Sequence, residues 1–263
     1  MSEVSVCGAV VLAGQRAGPT PLCAQAGVDV EVLVPVGGVP AIERVLGALS
    51  RAELVRPAVV VGPSPEVLSA HPEVKAMIDA AGAAWVAPAG DPASSALAGL
   101  QGQAPPTLVT SGDHALLCAS IVDAFCEAAH RVQADLIVGL VPYQAVRAAY
   151  PESRRTVLKF ADGARCGANL YFLRTEEARR GIEFWVAVQR DRKRPWRIAR
   201  RLGWRLLLRY LTGRLTLGAA LGALSERAGC RLGSVIVDEP RAAVDVDSVD
   251  DWRLAQRIVG EAS

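Results

Sequence analysis

Gly14, Arg16 and Gly18 fall in one short loop, Ala13-Gly14-Gln15-Arg16-Ala17-Gly18-Pro19, directly after the valine-rich run Val4–Leu12. Small residues let a backbone approach a ligand closely, backbone N–H groups of such a loop can cradle phosphate oxygens, and a guanidinium stands beside them. A tight turn that simply needs glycine fits the same residues. Asp113, in Ser111-Gly112-Asp113-His114, follows the apolar run Thr107–Thr110. A carboxylate at the end of a buried strand suits a hard divalent cation, and magnesium typically takes one or two protein carboxylates plus substrate phosphates. The alternative for Asp113 is a turn or helix-capping residue. Asp245 and Asp247 flank Val246 late in the chain. Alternation along a strand puts both on one side, where they supply a second ligand or form a solvated face.

Other chemistries lack their residues. The loop is neither GxxxxGK[ST] nor GxGxxG, which argues against a Walker ATPase and a nicotinamide enzyme. Three histidines and no GxSxG argue against triad hydrolysis. Six cysteines without a CxxC pair or a histidine at ligand spacing indicate buried thiols rather than a disulfide frame or a zinc site.

The elements that must position these residues alternate. Strand-like runs at Val4–Leu12, Ala58–Val61, Ala84–Val86, Thr107–Thr110 and Ala134–Val141 are separated by helical patterns at Ala41–Leu54, Val67–Ala81, Ser94–Leu100 and Ser120–Ala129. Strands too apolar to have a wet face predict an α/β fold, a mostly parallel sheet with helices on both faces. Ligands then bind at the carboxyl ends of the strands, where the glycine loop and Asp113 both fall. The second half predicts strands at Thr156–Phe160, Ala168–Arg174, Val235–Val237 and Val244–Val246. Helices are predicted over Glu176–Gln189, 195–212, Leu217–Ala228 and Val249–Val259. Neither a repeat nor a low-complexity linker interrupts the chain, so a single domain, 1–263, is expected, with a basic helical insertion at about 190–214.

Four segments in this order resemble the MobA-like nucleotidyltransferases: Leu12-Ala13-Gly14-Gln15-Arg16, Leu33–Leu46 with Pro35-Val36-Gly37-Gly38, Gly112-Asp113, and Asp245–Asp251. The likeness covers residues 4–141 well and 156–259 loosely. It implies a Rossmann-like GT-A (nucleotide-diphospho-sugar transferase) fold that binds a nucleoside triphosphate and Mg2+. Such a protein transfers the nucleotidyl group to a phosphorylated acceptor and releases pyrophosphate. Leu12, Ala13, Gly14 and Arg16 then match the triphosphate loop, Gly90, Ser94 and Ser95 fall where the family reads the base, and Asp113 and Asp245 match its metal positions. Asn169 resembles an acceptor-side asparagine, and family precedent favours CTP or GTP. Lys159, with Arg154 and Arg155 nearby, is placed to receive an acceptor phosphate or to form a solvated basic edge.

Two departures stand out. Gly14-Gln15 replaces a common Gly-Gly, and Glu31 stands where the family's phosphate-binding lysine is expected. A carboxylate there repels a triphosphate by roughly a kcal/mol or more at short range. Either Arg16 or another basic residue takes over, or the site is catalytically degenerate and the protein a nucleotide-binding regulator.

The net charge of +2 hides one basic stripe: residues 190–214 carry ten Lys/Arg against a single Asp, which leaves the remainder near −7. Arginines interleaved with Trp196, Trp204 and Leu206–Leu208 fit a helix lying on anionic lipid, with a lipid head-group precursor as acceptor. They also fit a helix whose apolar side is core and whose arginines are solvated. Nucleic-acid binding usually needs a wider basic surface and is not expected. The longest apolar runs fall short of the ~18 residues a membrane span needs. With no basic n-region and apolar h-region at the N-terminus, the expected location is cytoplasmic, with peripheral contact to the inner membrane as an option.

Overall fold

The computed structural model describes residues 5–15, 20–191 and 195–261. The chain opens with β1 (Cys7–Leu12) and α1 (Pro21–Ala26), then a 3-10 turn (Glu31–Leu33) and a hairpin of β2 (Pro35–Val36) and β3 (Val39–Pro40). The alternating part follows as α2 (Ala41–Arg51), β4 (Val55–Val61), α3 (Pro65–Ala70), α4 (Pro72–Ala80), β5 (Ala84–Val86) and α5 (Pro92–Gly99). It continues through β6 (Thr107–Ser111), α6 (Ala119–Arg131), β7 (Leu136–Pro142) and α7 (Tyr143–Ala149). Next come β8 (Leu158–Phe160), β9 (Gly163–Leu173), α8 (Ala178–Arg190), α9 (Pro195–Leu202) and α10 (Trp204–Leu211). The chain finishes with α11 (Leu217–Ala228), β10 (Leu232–Ile236), a 3-10 turn (Pro240–Ala243) and α12 (Val249–Glu261).

The main sheet runs β10-β7-β9-β6-β1-β4-β5, with β8 paired to β9. All neighbours are parallel except β9, which runs antiparallel between β6 and β7, and β8, antiparallel to β9. Period-two alternation feeds a core on each face. Ala9, Val11, Val60 and Leu108 pack with Ile42, Val45, Ile78 and Phe125 from α2, α4 and α6. Val10, Val59, Val61 and Val109 pack on the other side with Ala96, Ala178 and Ile182 from α5 and α8. Fully burying one such aliphatic side chain contributes about 1.5–3 kcal/mol. A third cluster joins Leu22, Val36, Ala115, Leu116, Val244, Val246 and Leu254, tying the loop after β6 to the segment before α12.

Three expectations are corrected. The helix foreseen over Val67–Ala81 is two helices, because Pro72 offers no N–H and disfavours helical backbone at His71, where φ is −128°. The basic region is likewise two helices, broken at Gly203, whose φ is +87°. Val244–Val246 is not a strand: its valines are buried as the alternation suggests, but among the described residues they have no strand to pair with, and Val246 N–H instead donates to Asp113 O at 3.0 Å. Among the described residues, no helix is long and apolar enough to cross a membrane.

Candidate active site

Since β5, β4, β1 and β6 are parallel neighbours, the loops that follow them line one edge of the sheet. Backbone hydrogen bonds set their heights. Ala13 N–H donates to Val61 O at 2.9 Å and Gly112 N–H to Leu12 O at 2.8 Å, so the start of the glycine loop is held between its neighbours. Both neighbours are glycine where they touch it. A Cβ at Gly62 would stand 2.9 Å from the carbonyl carbon and oxygen of Ala13 and from Gly14 N, at a φ of +95°. A Cβ at Gly112 would stand 3.4 Å from that of Ala13. Gly14 itself is exposed, with open space where a Cβ would stand. Arg16 lies outside the described residues.

On the β5 side, Gly90 and the first turn of α5 stand in the expected loop. Here the serines serve the backbone: Asp91 caps α5 by accepting from Ser94 N–H and Oγ at 2.9 and 2.7 Å, and buried Ser95 Oγ accepts from Ala89 N–H at 3.0 Å. The loop that carries Gly90 is thereby pinned at both ends.

Asp113 accepts a hydrogen bond from Ser111 Oγ. Burial raises its carboxyl to about 6, against the help of Ser111, and the charges of Asp247 and Glu31 push in the same direction as burial. Glu31, flagged in place of a lysine, is therefore a member of this electronegative pocket. The adjoining His114 is fully buried beside Ala242, and desolvation lowers its imidazole to about 4, so it is neutral at pH 7.

The hydrogen bond from Val246 N–H brings the Asp245 segment against Asp113. Asp245 accepts from Asn169 Nδ2 at 2.9 Å. Asn169 reaches it from a bulge in β9, where the register against β7 slips between Val138 and Leu140 and Asn169 takes a left-handed φ of +48°. Bulges of this kind re-aim a side chain, and asparagine tolerates that backbone better than most residues. Asp245 is also ion-paired with Arg155, whose other terminal nitrogen pairs with Asp251. The Arg155 side chain is only 7% exposed, so a guanidinium is buried among carboxylates at the position where a second metal ligand was expected. Asp251 is fixed in turn by Ser248 Oγ, which donates to it at 2.6 Å.

The structure thus gathers the glycine loop, Asp113, Asp245 and Asn169 along one edge and adds Asp247, Asp251 and Glu31. Lys159 is placed elsewhere: it is exposed on β8, and its backbone N–H donates to Tyr210 Oη at 3.3 Å. Arg155, flagged with Lys159 as a candidate for acceptor phosphate, is the basic residue drawn into the carboxylates. No spacing in the sequence marks that pairing, because ninety residues separate Arg155 from Asp245. Gly62 was also missed, although a glycine directly after a valine strand is a signal of close backbone approach.

Solved structures share this fold. A hypothetical transferase from Thermus thermophilus is 29% identical, with a TM-score of 0.76 over 94% of this chain and 99% of its own. A CMP:2-keto-3-deoxy-manno-octonic acid synthetase complexed with CTP is 12% identical, with a TM-score of 0.61 over 98% of this chain and 100% of its own. The 4-diphosphocytidyl-2C-methyl-D-erythritol synthase of Anaerococcus prevotii DSM 20548 is 11% identical, with a TM-score of 0.57 over 98% and 97%. The chain has no match among curated proteins. The MobA-like NTP transferase domain matches residues 9–178, which span the glycine loop, Asp113, Arg155 and Asn169. A match over that much of the sequence, on a mostly parallel sheet with helices on both sides, makes this chain a member of the MobA-like NTP transferase family of nucleotidyltransferases.

Proposed function

We propose that this protein transfers a nucleoside monophosphate from a nucleoside triphosphate to a small phosphorylated acceptor. An acceptor phosphate oxygen attacks the α-phosphorus, the bond from that phosphorus to the bridging α–β oxygen breaks, and pyrophosphate leaves. The observation that carries the reading is Asp113 at the carboxyl end of β6, one strand from the open glycine loop, with Asp245 and Asn169 brought beside it. Transfer of this kind needs positioning and charge neutralisation more than a protein nucleophile.

The residues fit magnesium. Asp113, Asp245 and Asp247 are hard oxygen donors of the kind that magnesium takes. Among the described residues no three ligating side chains surround one point, and in this reading substrate phosphates would complete the shell. Asp113 and Asp245 would hold the ion, which supplies charge stabilisation on the departing pyrophosphate. The N–H groups of Gly14 and Gln15 face the triphosphate, and Arg16 is the cation we assign to it. Gly90 lies where the base is read, with the loop fixed by Ser94 and Ser95. Asn169 orients Asp245 on the acceptor side. Arg155 holds Asp245 and Asp251 together. CTP is the first nucleotide to test, because the synthetase described above was solved with CTP, and GTP the second.

Glu31 beside Asp113 favours one other reading, a nucleotide-binding regulator without turnover. Pyrophosphate release, screened over the four ribonucleoside triphosphates with phosphorylated acceptors and magnesium, separates the two. Turnover that Asp113→Ala lowers by about 10²-fold or more is the expected result. Absence of turnover, with nucleotide binding that persists in chelator, would establish the regulator instead.

A further inference from the structure

Helices α9 and α10 leave an apolar stripe facing away from the protein. Among the described residues, the exposed large hydrophobic side chains are Leu158, Trp196, Trp204, Leu208, Leu211 and Ile236, and four of these six lie on this helix pair. Trp204, Leu208 and Leu211 are spaced i, i+4 and i+7, which puts them on one face of α10. They are 65%, 53% and 73% exposed. Leu206, Leu207 and Tyr210 occupy the opposite side and are half-buried. That inner face is only partly covered, since no residue of α10 is fully buried, so the expectation that the apolar side of this segment is core does not hold for α10.

The outer stripe is bordered by cations. Residues 195–214 contain six arginines and no acidic residue. Arg205 and Arg209 run beside the stripe at i, i+4 spacing, and Arg200 shares a face of α9 with Trp196. Arg197 and Arg205 lie over the rings of Trp196 and Trp204 at 5.2 and 5.4 Å. The pair is fastened to the rest of the molecule on its inner side only. Tyr210 meets Phe160 edge-on and accepts from Lys159 N–H, Ala161 N–H donates to Leu215 O at 2.8 Å, and Asp191 pairs with Arg197 and Arg201.

We infer that α9 and α10 form a docking face for an anionic lipid bilayer. Tryptophan and leucine bury in the interfacial region while the flanking guanidinium groups meet lipid phosphates, a combination that neither water nor a nucleic-acid backbone rewards on both counts. A second copy on the same face would set arginine against arginine. The inference is independent of the nucleotide chemistry, since none of these residues belongs to the carboxylate cluster.

Co-sedimentation of the full chain with vesicles tests it, using phosphatidylcholine alone and phosphatidylcholine mixed with phosphatidylglycerol. The protein should pellet with the mixed vesicles, with tryptophan emission shifting to the blue, and stay in solution with the neutral ones. Trp204→Ser with Leu211→Ser, and separately Arg205→Ala with Arg209→Ala, should each lower partitioning about tenfold or more at an unchanged unfolding midpoint. Each pair lies on the exposed face, so the fold tolerates it. Failure to pellet with the anionic vesicles would overturn the inference, as would pelleting that neither pair reduces. A wild-type dimer that the serine variant dissociates would assign the face to a second copy. Arginine-dependent RNA binding without vesicle binding would assign it to nucleic acid.

Discussion

At the scale of single residues, the described part of the candidate site is an excess of carboxylate held in check by the guanidinium of Arg155. Arg155 is buried between Asp245 and Asp251, so removing it strands two negative charges in a poorly solvated place. Arg155→Gln should cost about 3 kcal/mol, read as a lower urea midpoint at unchanged slope. The sequence made the carboxylates legible because each sits in a short, recognisable setting, Gly112-Asp113 and Asp245-Val246-Asp247. It left Arg155 among three interchangeable basic residues, since what distinguishes it from Arg154 and Lys159 is a ninety-residue pairing that no local pattern encodes. Asn169 was legible by resemblance alone; the physical reason for it, a left-handed bulge that turns an amide toward Asp245, belongs to the sheet.

Among elements, the decisive contact is the end of β4 pressed on the loop after β1. Gly62→Ala adds a methyl 2.9 Å from the backbone of Ala13 and Gly14 at a backbone angle that side chains rarely adopt, so loop and strand must separate. We expect a loss of about 2–3 kcal/mol in stability, followed by thermal unfolding, and weaker nucleotide binding by calorimetry in the same variant. Buried strands β1, β4, β6 and β7 were legible from continuous valine and leucine runs, which both faces of a covered sheet demand. The direction of β9 was not: a run such as Ala168–Arg174 reads as strand in either orientation, and only its neighbours determine that it lies antiparallel. The break before α4 was available in Pro72 and was overridden by the apolar periodicity around it.

For the molecule as a whole, adjacent residues make opposite contributions to stability against pH. His114 is held near 4, below its ordinary 6.5, so the unfolded chain binds its proton first and stability falls as pH drops from 6.5 to 4. Asp113, raised from 3.8 to about 6, binds its proton first in the folded state, and stability rises as pH drops from 6 to about 4. Each is worth about 3 kcal/mol, so the two nearly cancel. Below 4 the profile should fall, because Arg231 holds Asp135 down at about 2 and protonation forfeits that pairing. Urea titrations from pH 7 to 3 check this. Wild type should be flat to about pH 4, whereas Asp113→Asn should be more stable at pH 7 and slope downward from 6.5. The position of β9 has a further consequence, for synthesis. β6 and β7 flank a gap that only residues 163–173 can fill, and those residues leave the ribosome after both. A nascent chain that has reached α7 therefore carries two facing rows of unmatched amide and carbonyl groups. That stage is the one at which neighbouring polypeptides on a polysome can cross-pair, and it is where a holding chaperone would be of most use.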